Sequence, residues 1–170
     1  MTEIRKRLTV QRLKHSSLDS LLRQKGFYPG DYGWGDLIRS WNRLTPTKPR
    51  EIELVFFRPK EEEFVQFCKI EPPAYAERKL VPASLFEILT AIPERTAEAG
   101  RRALCAELGS DFVLMVHGHY TKRWLDRGFP YIQGKYGWKL EFGTSILTSR
   151  RWSWYAGFRK LGKYADQPPP

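Results

Sequence analysis

Apolar residues in the first part of the chain recur at the spacing of a helix. Leucines and one isoleucine within residues 3–25 lie three to five positions apart, so that most of them share one helix face. Residues 15–17 interrupt this pattern, and a serine there can cap a second helix. Residues 36–44 repeat the helical spacing over one short element. The pattern therefore predicts a helical region over residues 1–45.

From residue 51 the pattern changes to that of strands. Residues 51–57 begin in alternation and end apolar, residues 64–70 are typical of the returning strand of a hairpin, and residues 75–81 form a third short candidate. Helical patterns follow over residues 83–91 and 94–108, each with a proline just before its start. The middle of the chain is therefore predicted to contain strands followed by helices.

Strand patterns return in the last third of the chain. Residues 111–117 form the most apolar run, and residues 138–142 form a shorter candidate strand. Residues 150–160 fit a strand or a helix, and their glycine and strand-favouring residues incline them to strand or irregular structure. Together these elements predict one α+β domain over residues 1–167, in which the N-terminal and central helices pack on a mostly antiparallel sheet of about five strands. The prolines at 168–170 predict a disordered tail.

The basic residues are concentrated at both ends of the chain. The net charge is +10 and the pI is about 9.8. Residues 1–50 hold 11 lysines and arginines against 4 acidic residues, residues 51–110 hold 8 against 11, and residues 111–170 hold 10 against 4. A field polarised in this way suits a polyanionic partner, such as nucleic acid, an anionic membrane surface or an acidic protein.

The cysteines and the hydropathy pattern indicate the cellular compartment in which the protein is expected to work. Cys68 and Cys105 both have apolar neighbours, and two cysteines make neither a disulfide framework nor a zinc finger. Thiols of this kind are expected to be buried and reduced, which favours the cytoplasm. No apolar run follows the charged N-terminus, and no stretch reaches the roughly 20 apolar residues of a membrane span. We expect neither a membrane location nor a metal or other cofactor.

Aromatic and basic residues are combined in the last third of the chain, which holds 13 of the 24 aromatic residues. In residues 149–160 four cations and four aromatics are interleaved, and such surfaces bind single-stranded nucleic acid by neutralising phosphates and stacking on bases. If this segment is a strand, Trp152 and Trp154 share its core face and Tyr155 lies on the other face. The predicted nucleic-acid contacts are Lys122, Arg123, Lys135, Arg150, Arg151, Tyr155, Arg159 and Lys160.

The leading hypothesis is therefore a protein that binds nucleic acid, with RNA or single-stranded DNA favoured, as an accessory subunit of a larger nucleic-acid-processing complex. No groove-reading motif is visible that would favour a duplex. The N-terminal cations pose a second question. Arg5, Lys6, Arg7, Arg12 and Lys14 would either follow a phosphate backbone or solvate the outer face of the predicted helix, and solvation is favoured.

Two further hypotheses remain open. His117 and His119 are two positions apart and would face the same way on an extended segment. With Tyr120 assisting, they would serve as the base and acid of a metal-independent ribonuclease or other phosphotransfer enzyme, while Lys122 or Arg123 stabilised the charged intermediate. No neighbouring cysteine or third histidine completes a metal site. The last hypothesis is a non-enzymatic module that docks an acidic protein.

Overall fold

The structure, a computed structural model, describes residues 3–10, 28–29, 49–59, 73–92, 97–110, 112–116, 130–133, 139–142 and 153–162. Its strands are β1 (Glu3–Val10), β2 (Tyr28–Pro29), β3 (Arg50–Phe57), β4 (Val81–Pro82), β5 (Val113–Met115), β6 (Pro130–Gln133), β7 (Lys139–Phe142) and β8 (Trp154–Lys160). Its helices are α1 (Pro73–Glu77), α2 (Leu85–Thr90) and α3 (Ala97–Leu108). The elements predicted at residues 11–25, 36–44 and 64–70, and the tail at 168–170, lie outside the described residues.

The described strands form one sheet with the order β1-β3-β8-β5-β6-β7-β2, and β4 pairs with β8 beside this path. All pairs are antiparallel except β5 with β8 and β2 with β7. Of these strands, six have three residues or more, against the five expected. A mostly antiparallel sheet with few described helices agrees with the α+β class.

The first described element is a strand, so the helix predicted from residue 3 is wrong over residues 3–10. Glu3–Val10 pairs along its whole length with β3. Ile4, Leu8 and Val10 turn towards the core, while Arg5 and Arg7 are exposed. Ile4 and Leu8 are four positions apart, a spacing that fits either a helix or a strand, and the long pairing with β3 selects the strand.

The short strand predicted over residues 75–81 is also wrong over most of its length, because α1 occupies Pro73–Glu77 and only Val81 belongs to a strand. The amide of Leu80 donates to the carbonyl of Tyr75 at 2.9 Å, and the amide of Lys79 donates to that of Ala76 at 3.0 Å. These two bonds, with Lys79 at φ 53°, form a Schellman motif that ends the helix.

The other predicted elements in the described part of the chain are confirmed. β5 and β7 lie within predicted strands, β3 begins one residue before the strand predicted over residues 51–57, and α2 and α3 lie within predicted helices. The segment 150–160, which fits a strand or a helix, contains strand β8. Ser84 caps α2 in a capping box, in which its hydroxyl accepts from the amide of Phe86 at 3.2 Å and its own amide donates to Glu87 at 2.8 Å.

Both faces of the sheet are covered around β3 and β8. On the face that we call the front, even-numbered residues of these strands pack against α2 and α3, namely Ile52, Leu54, Phe56, Trp154, Ala156 and Phe158. On the opposite face, the back, Val55, Phe57 and Tyr155 pack against Tyr75 and its neighbours on α1 and the following turn. Within the described residues, no helix has the length and apolar character needed to cross a membrane.

Candidate nucleic-acid interface

The cover on the back face of the sheet ends within β8. Tyr155 lies beneath α1, with its ring stacked on Phe57 at a centroid distance of 6.0 Å. Two residues further along β8, on the same face, a Cβ atom on Gly157 would lie 2.9 Å from the Cβ of Leu80 and 3.0 Å from the ring of Tyr75. Glycine is therefore required at this position to let the α1 segment approach the sheet.

Beyond Gly157 the back face is polar and carries charges from three strands. Arg7 of β1 lies opposite Glu53 of β3, and Glu53 lies opposite Arg159 of β8. Opposite residues of antiparallel strands share a face, and adjacent strands are about 4.8 Å apart, so the backbones of the two arginines are about 10 Å apart. We call this cluster, with Arg5, the arginine face: Arg5, Arg7, Arg159 and Glu53.

Glu53 interacts with the arginines around it. Its Oε2 atom is 2.9 Å from Nε of Arg159. The pKa of Arg5 is raised above its ordinary value, first by the hydrogen bond that its guanidinium donates to Glu3 at 3.0 Å, then by the negative charges of Glu3 and Glu53. The side chains of Arg5 and Arg159 are 56% and 36% exposed, whereas that of Glu53 is 15% exposed. The cations therefore reach solvent more fully than the carboxylate between them.

Tyr155 is fully buried, so the expectation that it lies on an exposed face is wrong. Period two correctly separates its side chain from that of Trp154, which lies in the front core as expected. The error lies in the assumption that only one face of β8 is buried, because α1 covers the other. Burial also raises the pKa of the Tyr155 phenol. A fully buried ring has no face available for a nucleic-acid base.

The other two predicted nucleic-acid contacts that the structure describes, Arg159 and Lys160, lie on opposite faces of the sheet. Arg159 belongs to the arginine face, whereas Lys160 is partly exposed at the end of β8 on the front side, opposite Ile52. The other predicted site residues lie outside the described residues: Lys122, Arg123, Lys135, Arg150, Arg151, His117, His119 and Tyr120. The sheet thus brings Arg159 together with Arg5 and Arg7, and separates it from Lys160.

Two cations on the front side, Lys6 and Arg50, form ion pairs with helices. Lys6 of β1 forms an ion pair of 2.7 Å with Glu107 of α3. Arg50 pairs with the buried carboxylate of Glu87 and lies over the ring of Phe158, with its guanidinium carbon 4.8 Å from the ring centroid. These contacts join strands to helices, a structural role for the charges.

Aromatic stacking surfaces and metal ligands are scarce in the described part of the chain. Of the aromatic side chains described within residues 111–170, Tyr131 is partly exposed and the rest are buried, namely Phe112, Trp154, Tyr155 and Phe158. Among the described residues, no group of three or more His, Cys, Asp or Glu side chains could hold a metal ion. Among the described side chains, the exposed cations are Arg5, Arg7, Lys79 and Arg102.

Sequence reasoning missed Arg5, Arg7 and Glu53 as members of one site. The alternation of Arg5 and Arg7 with Ile4 and Leu8 carried a period-two signal, but the same residues also fit a helix. Nothing in the local sequence places β3 between β1 and β8, and the site exists only through that strand order.

Comparisons with protein-family models, with curated proteins and with solved structures find no match to this chain. What the protein does is therefore inferred from its side chains. The side chains that the structure describes include ten lysines and arginines against six glutamates. The arginine face is the place where exposed cations from distant parts of the chain meet on one side of the sheet.

Proposed function

We propose that this protein binds nucleic acid through the arginine face, with RNA or single-stranded DNA favoured over duplex, and that it serves as an accessory subunit of a larger nucleic-acid-processing complex. The observation that carries the proposal is the meeting of Arg7 and Arg159, from the two basic ends of the chain, on one face of the sheet. Their convergence turns two basic segments into one cationic surface.

The chemistry of this surface suits phosphodiesters. Guanidinium groups donate paired hydrogen bonds to phosphate oxygens, and they are less strongly hydrated than ammonium groups. Counted with their neighbours on the back face, the guanidinium groups of Arg5, Arg7, Arg78 and Arg159 outnumber by one the carboxylates of Glu3, Glu51 and Glu53. With backbones about 10 Å apart, Arg7 and Arg159 are positioned for different phosphates of one strand.

A flexible single strand fits this surface better than a duplex does. The arginine face spans three strands of a sheet, whereas duplex reading usually places a helix or a two-stranded ribbon in the major groove. We place this role in the cytoplasm, where the thiol of Cys105, which is not in a disulfide, would remain reduced.

The test is a salt titration of binding to fluorescently labelled 20-nucleotide RNA and DNA single strands, followed by anisotropy. For single strands, the logarithm of the binding constant should fall with the logarithm of salt concentration with a slope of about −0.7 per phosphate contact. Arg7→Gln and Arg159→Gln should each reduce this slope by about 0.7. Arg102→Gln is the matched control, because it removes one exposed cation from α3, on the front side.

The outcomes separate the hypotheses. Absence of binding at low salt, or binding whose slope is unchanged in both arginine variants, would overturn the proposal. Equal loss in the Arg102→Gln control would show that net charge alone decides the affinity, which also contradicts a site on the back face. Tighter binding to poly-glutamate than to the oligonucleotides would indicate that the arginine face binds an acidic protein instead of nucleic acid.

A further inference from the structure

We propose that Glu53 is a specificity-determining residue, which makes the arginine face select polymeric phosphates over single ones. This inference rests on the proposed function. Glu53 stands at the centre of the arginine face, between Arg7 and Arg159 in the cross-strand register. A carboxylate in that place is unexpected in a surface that binds only through positive charge, and its contacts indicate what it does.

Glu53 partly neutralises the positive charge that would attract a phosphate. Its Oε2 atom lies 2.9 Å from Nε of Arg159, and its negative charge also reaches Arg5. The side chain of Glu53 is 15% exposed and that of Arg159 is 36% exposed, so the arginine is the more accessible partner of this ion pair. An incoming phosphate must therefore displace or share an anion that is already part of the protein.

Competition from Glu53 affects small and large ligands differently. A single phosphate meets a carboxylate tethered beside the arginine, whose effective concentration is high because both belong to one folded chain. A polymer places several phosphates on the surface at once, so that each contact after the first is intramolecular and less sensitive to competition. Glu53 should thus suppress binding of mononucleotides and inorganic phosphate more than binding of a strand.

The experiment measures how well inorganic phosphate displaces the labelled 20-nucleotide RNA, with ionic strength held constant by sodium chloride. For the unmodified protein, phosphate should displace the RNA no better than chloride does. Glu53→Gln keeps the shape of the side chain and removes its charge, so it should bind the RNA about tenfold more tightly. In that variant phosphate should also become an effective competitor, at concentrations about tenfold below those that act on the unmodified protein.

Glu51→Gln provides the matched control. Glu51 is exposed on the same strand and the same face, two residues from Glu53, and its cross-strand partner is Thr9. Its substitution changes the net charge equally without removing an anion that lies between two arginines. Only Glu53→Gln should make phosphate an effective competitor.

Three results would contradict the inference or the function beneath it. Equal phosphate sensitivity in the Glu53→Gln and Glu51→Gln variants would refute the role of Glu53 while leaving RNA binding intact. Weaker RNA binding by Glu53→Gln would show that the carboxylate orients Arg159 for binding, which would also refute the proposed role of Glu53 in specificity. If the unmodified protein does not bind RNA at low salt, the proposed function itself fails. Glu53→Asp, which keeps the charge but shortens its reach to Arg159, should also make phosphate a better competitor.

Discussion

At Gly157 the α1 segment lies in close contact with the sheet, and Gly157→Ala tests that contact. The added methyl carbon would lie 2.9 Å from the Cβ of Leu80 and 3.0 Å from two ring atoms of Tyr75. The Cβ of Leu80 is fixed to its backbone, so it cannot move aside by rotating a side chain. The backbone of the α1 segment would have to shift away from β8.

The expected cost follows from two opposing effects. Inserting a methyl group into a tightly packed contact costs about 1 to 3 kcal/mol. Alanine recovers about 0.5 to 1 kcal/mol relative to glycine in a strand, because glycine loses more conformational freedom on folding. We therefore expect Gly157→Ala to lower the free energy of unfolding by about 1 to 2 kcal/mol.

Urea unfolding, followed by tryptophan fluorescence, measures this loss as a lower midpoint with an unchanged slope. The same substitution in a Tyr75→Ala background should cost less, because the ring that the methyl group meets is gone. Equal or greater stability of Gly157→Ala in the unmodified background would refute the close seating of α1 on the back face. The boundary of the arginine face would then be wrong as well.

Three further substitutions test other parts of the fold. Ser84→Ala should lower the free energy of unfolding by about 1 to 2 kcal/mol, because Ser84 caps α2 and holds the buried carboxylate of Glu87. Urea unfolding would measure this loss, and an unchanged midpoint would contradict the capping box. Lys79→Gly should raise the melting temperature modestly. The left-handed conformation that ends α1 costs a lysine about 1 to 2 kcal/mol and costs glycine little. The greater freedom of glycine in the unfolded chain offsets only about 0.5 to 1 kcal/mol of this gain. Burial raises the pKa of Tyr155, so the unfolded chain ionises first and the protein should lose stability as the pH rises above about 10. Unfolding curves at increasing pH should show a smaller loss for Tyr155→Phe than for the unmodified protein, and equal losses would contradict this.

Where the sequence predicted the fold correctly, one period was clear and no other fitted. In β3, Ile52 and Leu54 alternate with glutamates, a spacing that no amphipathic helix shares. In β1, Ile4 and Leu8 satisfy both periods, and the choice depends on pairing with β3, a contact between segments far apart in the chain. Local pattern cannot decide such a case, because the deciding free energy is tertiary.

The candidate site was harder to predict than the fold. Its members Arg7 and Arg159 come from opposite ends of the chain, and their meeting depends on the strand between them. The buried position of Tyr155 depends on α1, from a segment whose sequence predicted a strand. Among the described side chains lysines and arginines outnumber glutamates, as the basic composition indicates, but composition gives no means of choosing which cations share a face.

The place of β8 within the sheet has a consequence for how the chain folds. β8 follows every other described strand in the sequence, yet it lies between β3 and β5 and joins them. The unit β5-β6-β7 can form from neighbouring segments, but contacts between β3 and β8 close a long loop, which slows folding. Until β8 inserts, β3 and β5 each present an unpaired edge with apolar residues, which favours aggregation. The segment that completes the arginine face is therefore also the one that closes the sheet.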